Sequence, residues 1–114
     1  MGHIVGNLGY GVEMFGSTHW LSMSLSTGSP ASHTGIGVGP LATTADKIAT
    51  LPTVGKLLIA ALQGQSVFEA EISGLPTQAA GPFPGVAPAA WLGTLTATQK
   101  ADLRQLAISL PIGA

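Results

Sequence analysis

The stretch from Thr53 to Ile72 constrains the fold more than any other part of the sequence. In its first half, apolar residues recur with the i, i+3, i+4, i+7 spacing of one helical face. They are Val54, Leu57, Leu58, Ala61 and Leu62. Gly64 follows at the position where a glycine commonly ends a helix, because glycine is free to adopt a positive φ. The pattern predicts a helix over residues 53–63.

Residues 66–72 switch to a period of two, which is typical of a strand. The apolar face of this strand would carry Phe68, Ala70 and Ile72. Glu69 and Glu71 would share the opposite face. Two neighbouring carboxylates can perform acid–base chemistry, because their mutual repulsion raises the pKa of one of them. The alternative is a charged strand edge that blocks unwanted strand pairing.

A second alternating segment covers residues 17–27 and predicts a strand with a hydroxyl-lined outer face. Its core face would carry Leu21, Met23 and Leu25, and its outer face Trp20, Ser22, Ser24 and Ser26. A short strand is expected at Ile36–Val38. Thr43 or Thr44 has the chemistry of an N-cap for a short helix over residues 43–51.

The last predicted element is a helix over residues 97–109. Thr96 and Gln99 have the spacing of a capping box, in which each side chain satisfies a backbone N–H of the first helical turn. The apolar face of this helix comprises Leu103, Leu106, Ala107 and Leu110. Pro111 stops the helix because it has no backbone N–H to donate.

Two glycine- and proline-rich segments are predicted to lack regular structure. Residues 1–16 read as an N-terminal arm with at most one short strand, because glycine at this frequency opposes a helix. Residues 74–94 read as an extended, polyproline-like loop that packs on another surface. Both segments, together with the C-terminal tail, supply the candidate interface residues. These are Ile4, Val5, Tyr10, Phe15, Phe83, Trp91, Leu110 and Ile112.

Charge is scarce in this chain. Only 8% of its 114 residues are charged, whereas soluble domains average about 25%. Because surface charge keeps dissolved proteins apart, one explanation is that other subunits cover much of the surface. The alternative is a monomer whose surface polarity comes from serine and threonine. The length allows one domain, which we take to span residues 1–114.

Several partner classes are not expected. The chain has no cysteine, so it offers no disulfide or thiolate chemistry. Its N-terminus lacks the features of a signal peptide, and its apolar runs are too short to span a bilayer. Four basic residues are too few for a nucleic-acid footprint. They are Lys47, Lys56, Lys100 and Arg104.

The residue spacings in this sequence do not match the known motifs for catalysis and cofactor binding. The GxGxG run at residues 35–39 differs from the dinucleotide-binding GxGxxG, and Gly55-Lys56 lacks the remainder of a P-loop. The three histidines, His3, His19 and His33, have no zinc-binding spacing. No GxSxG nucleophile motif is present. We therefore expect no enzymatic activity, no cofactor and no metal.

The layout resembles that of small structural proteins of tailed bacteriophage virions, among them the lambda-type capsid decoration proteins. The shared features are a short, cysteine-free chain rich in Ala, Gly, Thr and Pro, an irregular N-terminal arm, and a late helix that passes into an apolar tail, here Gln99 to Ile112. The resemblance implies a lattice-bound subunit without enzymatic activity, whose arm lies on a neighbouring shell protein.

Together these patterns predict an α+β fold, with a small mixed sheet packed by the helices over residues 53–63 and 97–109. The functional hypothesis is a non-enzymatic structural subunit of a large protein assembly, with a phage virion (capsid decoration, coat or tail component) as the favoured case. Its apolar arm and loop would be buried on copies of itself or on another shell or tail protein. Without assembly, a cytoplasmic protein is expected. The alternative hypothesis is a small binding module or minor enzyme. Its pocket would be built from His19, Trp20, Glu69 and Glu71.

Overall fold

The computed structural model describes residues 2–27, 32–41 and 51–109, and this part of the chain contains four strands followed by four helices. The strands are β1 Gly2–Val5, β2 Leu8–Phe15, β3 Thr18–Thr27 and β4 Ser32–Leu41. The helices are α1 Pro52–Gln63, α2 Gln65–Ser73, α3 Pro88–Gly93 and α4 Ala97–Ile108. The α+β prediction is confirmed. All but the last residue of the predicted helix over 43–51 lies outside the described residues.

The sheet is antiparallel throughout, with the order β1-β2-β3-β4, and is therefore not the mixed sheet that we predicted. The strand over 17–27 is confirmed as β3, and the short strand at Ile36–Val38 is the centre of the longer β4. The register between β3 and β4 shifts next to Leu21 and Ser22, where β4 carries an extra residue.

The predicted N-terminal arm is instead two strands of this sheet. Gly6 and Gly16 both have φ near +60°, and each begins the two-residue turn that closes a hairpin. Turns of this kind match the twist of the flanking strands and require a positive φ. The prediction was wrong because glycines at alternate positions of β2 conceal an ordinary period-two pattern, in which Leu8 and Tyr10 are buried.

The inner face of the sheet carries the large apolar residues and is closed by the helices. Leu8 and Tyr10 of β2 lie beside Leu25 and Met23 of β3, and Ile36 of β4 pairs with Met23. On this face α4 packs against β1 and β2, while α3 packs against β4. The resulting core is continuous from the sheet into all four helices.

Helix α1 confirms the prediction for residues 53–63, but its buried face is rotated from the predicted one. Val54, Leu57, Ala60 and Ala61 are buried, whereas Leu62 is exposed. The two alanines let neighbouring backbone approach, and the Arg104 side chain of α4 donates a hydrogen bond to the Ala61 carbonyl at 2.7 Å. Gly64 ends α1 with φ 142°, the positive φ expected there.

The prediction of a strand over residues 66–72 is wrong, because this segment belongs to helix α2. A run this short fits both periods. Phe68 and Ile72 lie four residues apart, so a helix buries both on one face, and both are fully buried in the core. Glu69 and Glu71 therefore do not share a face, since positions two apart on a helix point in different directions.

The C-terminal helix and its capping box are confirmed as α4. The Thr96 hydroxyl accepts a hydrogen bond from the Gln99 backbone N–H at 3.1 Å, and the Gln99 side chain accepts one from the Thr96 N–H at 2.9 Å. Leu103, Leu106 and Ala107 are buried as predicted. Leu110 and the rest of the predicted tail lie outside the described residues.

The segment predicted as a polyproline-like loop over 74–94 has two parts. Residues 88–93 form α3, so the prediction of no regular structure was wrong there. Residues 75–87 follow an irregular path with internal turns, because the N–H of Gly85 donates to the Gln78 carbonyl at 2.8 Å and Phe83 has φ 54°. A polyproline helix would keep φ near about −75° and form no internal hydrogen bonds.

Candidate interaction surfaces

The centre of the outer face of the sheet is built from glycine and serine. Strand pairing places Gly9 and Gly11 of β2, Ser22 and Ser24 of β3, and Gly35 and Gly37 of β4 side by side on this face. With so few side-chain atoms, the backbone of the sheet itself is open to close approach. The serine side of the predicted strand pattern is thus confirmed as an outer face.

The chain covers one half of this outer face with its own loop. The Trp20 ring lies against Gly81, with no room for a Cβ there. A Cβ on Gly37 would lie 3.0 Å from the Pro82 carbonyl oxygen, and one on Gly35 would lie 2.9 Å from the Phe83 ring. The first two glycines of the GxGxG run, Gly35 and Gly37, therefore allow close packing of residues 78–83 on the sheet.

An apolar pocket lies where this loop meets α3 and the edge of β4. It has a volume of about 370 Å³, and its lining residues are His33, Thr34, Gly35, Phe83, Val86, Ala90, Trp91 and Thr94. We call it the aromatic pocket. The Trp91 indole N–H donates to the Thr34 hydroxyl at 3.2 Å, which fixes the orientation of the ring.

The other half of the outer face forms an open groove of about 390 Å³. Gly9, Gly11 and the serines of β3 line its floor, while Glu13 and His33 also border it. The Ser22 hydroxyl donates to the Gly11 carbonyl at 3.4 Å. The groove is thus lined mainly by backbone and hydroxyl groups rather than by charged side chains.

Within residues 2–27, 32–41 and 51–109, large apolar side chains are exposed in three separate places. At the β2–β3 turn, Met14 is 55% and Phe15 43% exposed, and we call this pair the apolar tip. On α1, Ile59 is 59% and Leu62 63% exposed, one helical turn apart, with Val67 of α2 also exposed. On β1, Ile4 is 78% exposed. Single exposed apolar residues are common on proteins, but Ile59 and Leu62 are neighbours on one helix, and Met14 and Phe15 lie on the two faces of β2 at one turn.

The residues predicted as interface fall into three groups. Ile4 and Phe15 are exposed, and Phe83 is partly exposed as a wall of the aromatic pocket. Val5, Tyr10 and Trp91 belong to or pack against the core of this chain. Leu110 and Ile112 lie outside the described residues. Sequence reasoning missed Ile59 and Leu62 as exposed apolar residues, because apolar periodicity alone does not show which helical face another element covers. Met14 was also missed, since the segment that contains it was predicted as an irregular arm.

The structure does not gather the four residues of the alternative pocket. Trp20 packs on Gly81, whereas Glu69 lies between α2 and α4. There Glu69 accepts a hydrogen bond from the Gln65 side chain at 2.9 Å and lies 3.6 Å from the Lys100 ammonium. None of His19, Trp20, Glu69 and Glu71 lines either of the two cavities described above.

Tyr10 is the one buried side chain in the described residues whose polar atom has no hydrogen-bond partner there. Its phenol points into the core with the inner-face residues of β2. Burial raises the pKa of this phenol above its ordinary value, because ionisation would place an unsolvated charge among apolar groups. The group is suited to packing rather than to acid–base chemistry.

No cluster of three potential metal-ligating side chains occurs within residues 2–27, 32–41 and 51–109. In the same part of the chain, no helix is long and apolar enough to cross a membrane. No protein-family model matches the chain, and no curated protein or solved structure matches it significantly.

Proposed function

We propose that this chain is a non-enzymatic structural subunit of a large protein assembly, held in place by burial of its exposed apolar side chains on neighbouring subunits. The observation that carries the proposal is the distribution of these side chains over three places on one small chain: β1, the apolar tip, and α1 with α2. A simple two-fold dimer uses one patch, whereas a subunit of a ring, shell or filament contacts several neighbours.

The scarcity of charge supports the same proposal. Formal charges number four basic and five acidic residues in 114. Two of them, Lys100 and Glu69, already pair within the chain. Little electrostatic repulsion between copies of the chain therefore remains. Burial of apolar surface, which stabilises an interface by roughly 25 cal/mol per Å², then meets little opposition. The placement of this assembly in a phage virion rests on the sequence resemblance alone.

A set of matched variants tests the proposal. The unmodified chain, Phe15→Ser and Ile59→Ser with Leu62→Ser are compared by size-exclusion chromatography with light scattering over a concentration series, with Ser66→Ala as a control on an exposed polar residue of α2. We expect the unmodified chain and the control to exceed the monomer mass and the apolar variants to form smaller species. Monomers of the unmodified chain at every concentration, with no binding to a second virion protein, would overturn the proposal.

A further inference from the structure

The aromatic pocket and the apolar tip lie at opposite ends of the same sheet. Phe15 of the tip pairs with Thr18, the first residue of β3, whereas Gly35 of the pocket pairs with Ser24. Six residues along one strand correspond to roughly 20 Å at about 3.3 Å per residue. Because both features are fixed to one sheet, the tip cannot enter the pocket of its own chain.

Three independent features build the pocket. Phe83 is the one non-glycine residue with a positive φ in the described chain, at 54°, a conformation that L-residues adopt only when their surroundings impose it. Gly35 leaves just enough space for the Phe83 ring, since a Cβ would lie 2.9 Å away. The indole of Trp91 is held by Thr34. The two aromatic rings are therefore preorganised around an apolar space.

The size and chemistry of the pocket suit a protein side chain. A volume of about 370 Å³ lies at the low end of the roughly 300–1,000 Å³ that is usual for ligand pockets. Its one titratable lining residue is His33, at the rim. An aromatic ring that enters such a space gains edge-to-face contacts in addition to burial of its area.

Polar groups beside the two features are complementary. Glu13 lies two residues before Phe15 on the same face of β2, and its carboxylate is exposed. His33 lies two residues before Gly35 on the same face of β4, and its imidazole is exposed. The two spacings along a strand are equal, so a β2 tip that enters the pocket parallel to β4 would bring the Glu13 carboxylate near the His33 imidazole.

From these observations we infer that the Met14–Phe15 tip of one copy inserts into the aromatic pocket of a second copy, in a head-to-tail contact. This inference rests on the proposed function and names its partner as the same chain. A heterologous contact of this kind repeats from copy to copy and produces a ring or an open filament. The contact also accounts for the apolar side chains beside the turn. The two-residue turn itself needs only Gly16 and a small polar neighbour, so it does not require Met14 and Phe15 to be apolar.

Complementation between two variants tests the inference. Phe15→Ser removes the tip, and Ala90→Trp fills the pocket from an exposed position on α3. Ala89→Trp, on the exposed neighbour outside the pocket lining, is the matched control. We expect each of the first two variants to form smaller species than the unmodified chain, because one contact is lost while the exposed residues of α1 remain. The control should assemble like the unmodified chain, and an equimolar mixture of the first two variants should form larger species than either variant alone, because one tip and one pocket are then present. Near-ultraviolet circular dichroism verifies that each variant is folded.

A cross-link supplies a second measurement, should Ala90→Trp disturb α3. Because the chain has no cysteine, Ser17→Cys and Thr94→Cys can be mixed and oxidised. We expect a disulfide-linked heterodimer in far higher yield than from Ser17→Cys mixed with Gln63→Cys, which lies on α1. Equal yields, or assembly by Ala90→Trp like that of Ala89→Trp, would overturn the inference while leaving the proposed function in place. A monomeric unmodified chain would overturn the inference, and it would overturn the proposed function as well only if the chain also bound no second virion protein.

Discussion

The two faces of the sheet differ in side-chain size and in what covers them. The inner face presents Leu, Met, Ile and Tyr side chains, and the helices pack over these residues. The outer face presents glycine and serine, and the chain covers only the part nearest β4, with residues 78–83. The inner face therefore stabilises the monomer, whereas the outer face and its rim leave surface for other molecules.

The comparison also separates two uses of glycine. In β4, Gly35 is required because the Phe83 ring and the backbone of β3 occupy the space of a side chain, and a Cβ on Gly37 would crowd the Pro82 carbonyl oxygen. In β2, Gly11 has only the Ser22 hydroxyl nearby, at an ordinary 3.6 Å. Glycines of similar appearance in the sequence thus have different steric consequences, and substitution can tell them apart.

The largest expected effect is on the inner face. Phe68→Ala removes a fully buried ring from the contact between α2 and the core. We expect the free energy of unfolding to fall by about 3–5 kcal/mol, through lost burial and the cavity left behind. Urea titration followed by tryptophan fluorescence measures the change. A loss below about 1 kcal/mol would mean that the helices do not close the inner face as described.

An intermediate effect is expected where the loop covers the outer face. Gly35→Ala would drive a methyl group into the Met23 carbonyl, the Ser24 backbone and the Phe83 ring. We expect a loss of about 1–3 kcal/mol, as for other overpacked sites. Gly11→Ala, on the same face, should lie within about 1 kcal/mol of the unmodified protein. Equal losses of stability in the Gly35 and Gly11 variants would contradict the description of a loop that covers only the half of the outer face nearest β4.

A pH-dependent effect is expected from Tyr10, the single tyrosine of the chain. Its pKa is raised in the fold, so its neutral form contributes full stability below pH about 10, the ordinary pKa of tyrosine. Above that pH the unfolded chain ionises and the folded chain does not. The free energy of unfolding should then fall by up to about 1.4 kcal/mol per pH unit.

Absorbance at 295 nm follows this single phenol directly, and Tyr10→Phe is its control. Tyrosinate should form only as the protein unfolds, and the Phe variant should lose the corresponding slope. The variant should also gain roughly 1 kcal/mol at neutral pH, because it removes a buried hydroxyl that has no partner among the described residues. Ionisation of Tyr10 at its ordinary pKa in folded protein would contradict its burial.

The sequence was informative wherever one local signal was sufficient. The spacing of Val54, Leu57 and Ala61 and the Thr96–Gln99 capping box located α1 and α4. It was misleading where tertiary contacts decide between two periods, as for Phe68 and Ile72, and where glycines concealed the alternation of β2. These contacts join residues far apart in the chain, so no local pattern contains them.

The candidate surfaces were less predictable than the fold. Phe15 and Ile4 could be proposed from their apolar character, but the aromatic pocket depends on the meeting of β4, the loop and α3. The contact between Phe83 and Gly35 spans 48 residues of sequence, from 35 to 83. Exposure of Ile59 and Leu62 likewise depends on which face of α1 the other helices cover.

Methionine oxidation tests the central claim most directly, because the chain carries one probe in the proposed contact and one in the core of the monomer. Met14 is 55% exposed in the apolar tip, and Met23 is fully buried on the inner face. Their oxidation by dilute peroxide is followed by mass spectrometry at increasing protein concentration. Assembly through the tip predicts that Met14 oxidises quickly in dilute solution and becomes protected as concentration rises, while Met23 stays protected throughout. Unchanged, rapid oxidation of Met14 at every concentration would contradict the claim.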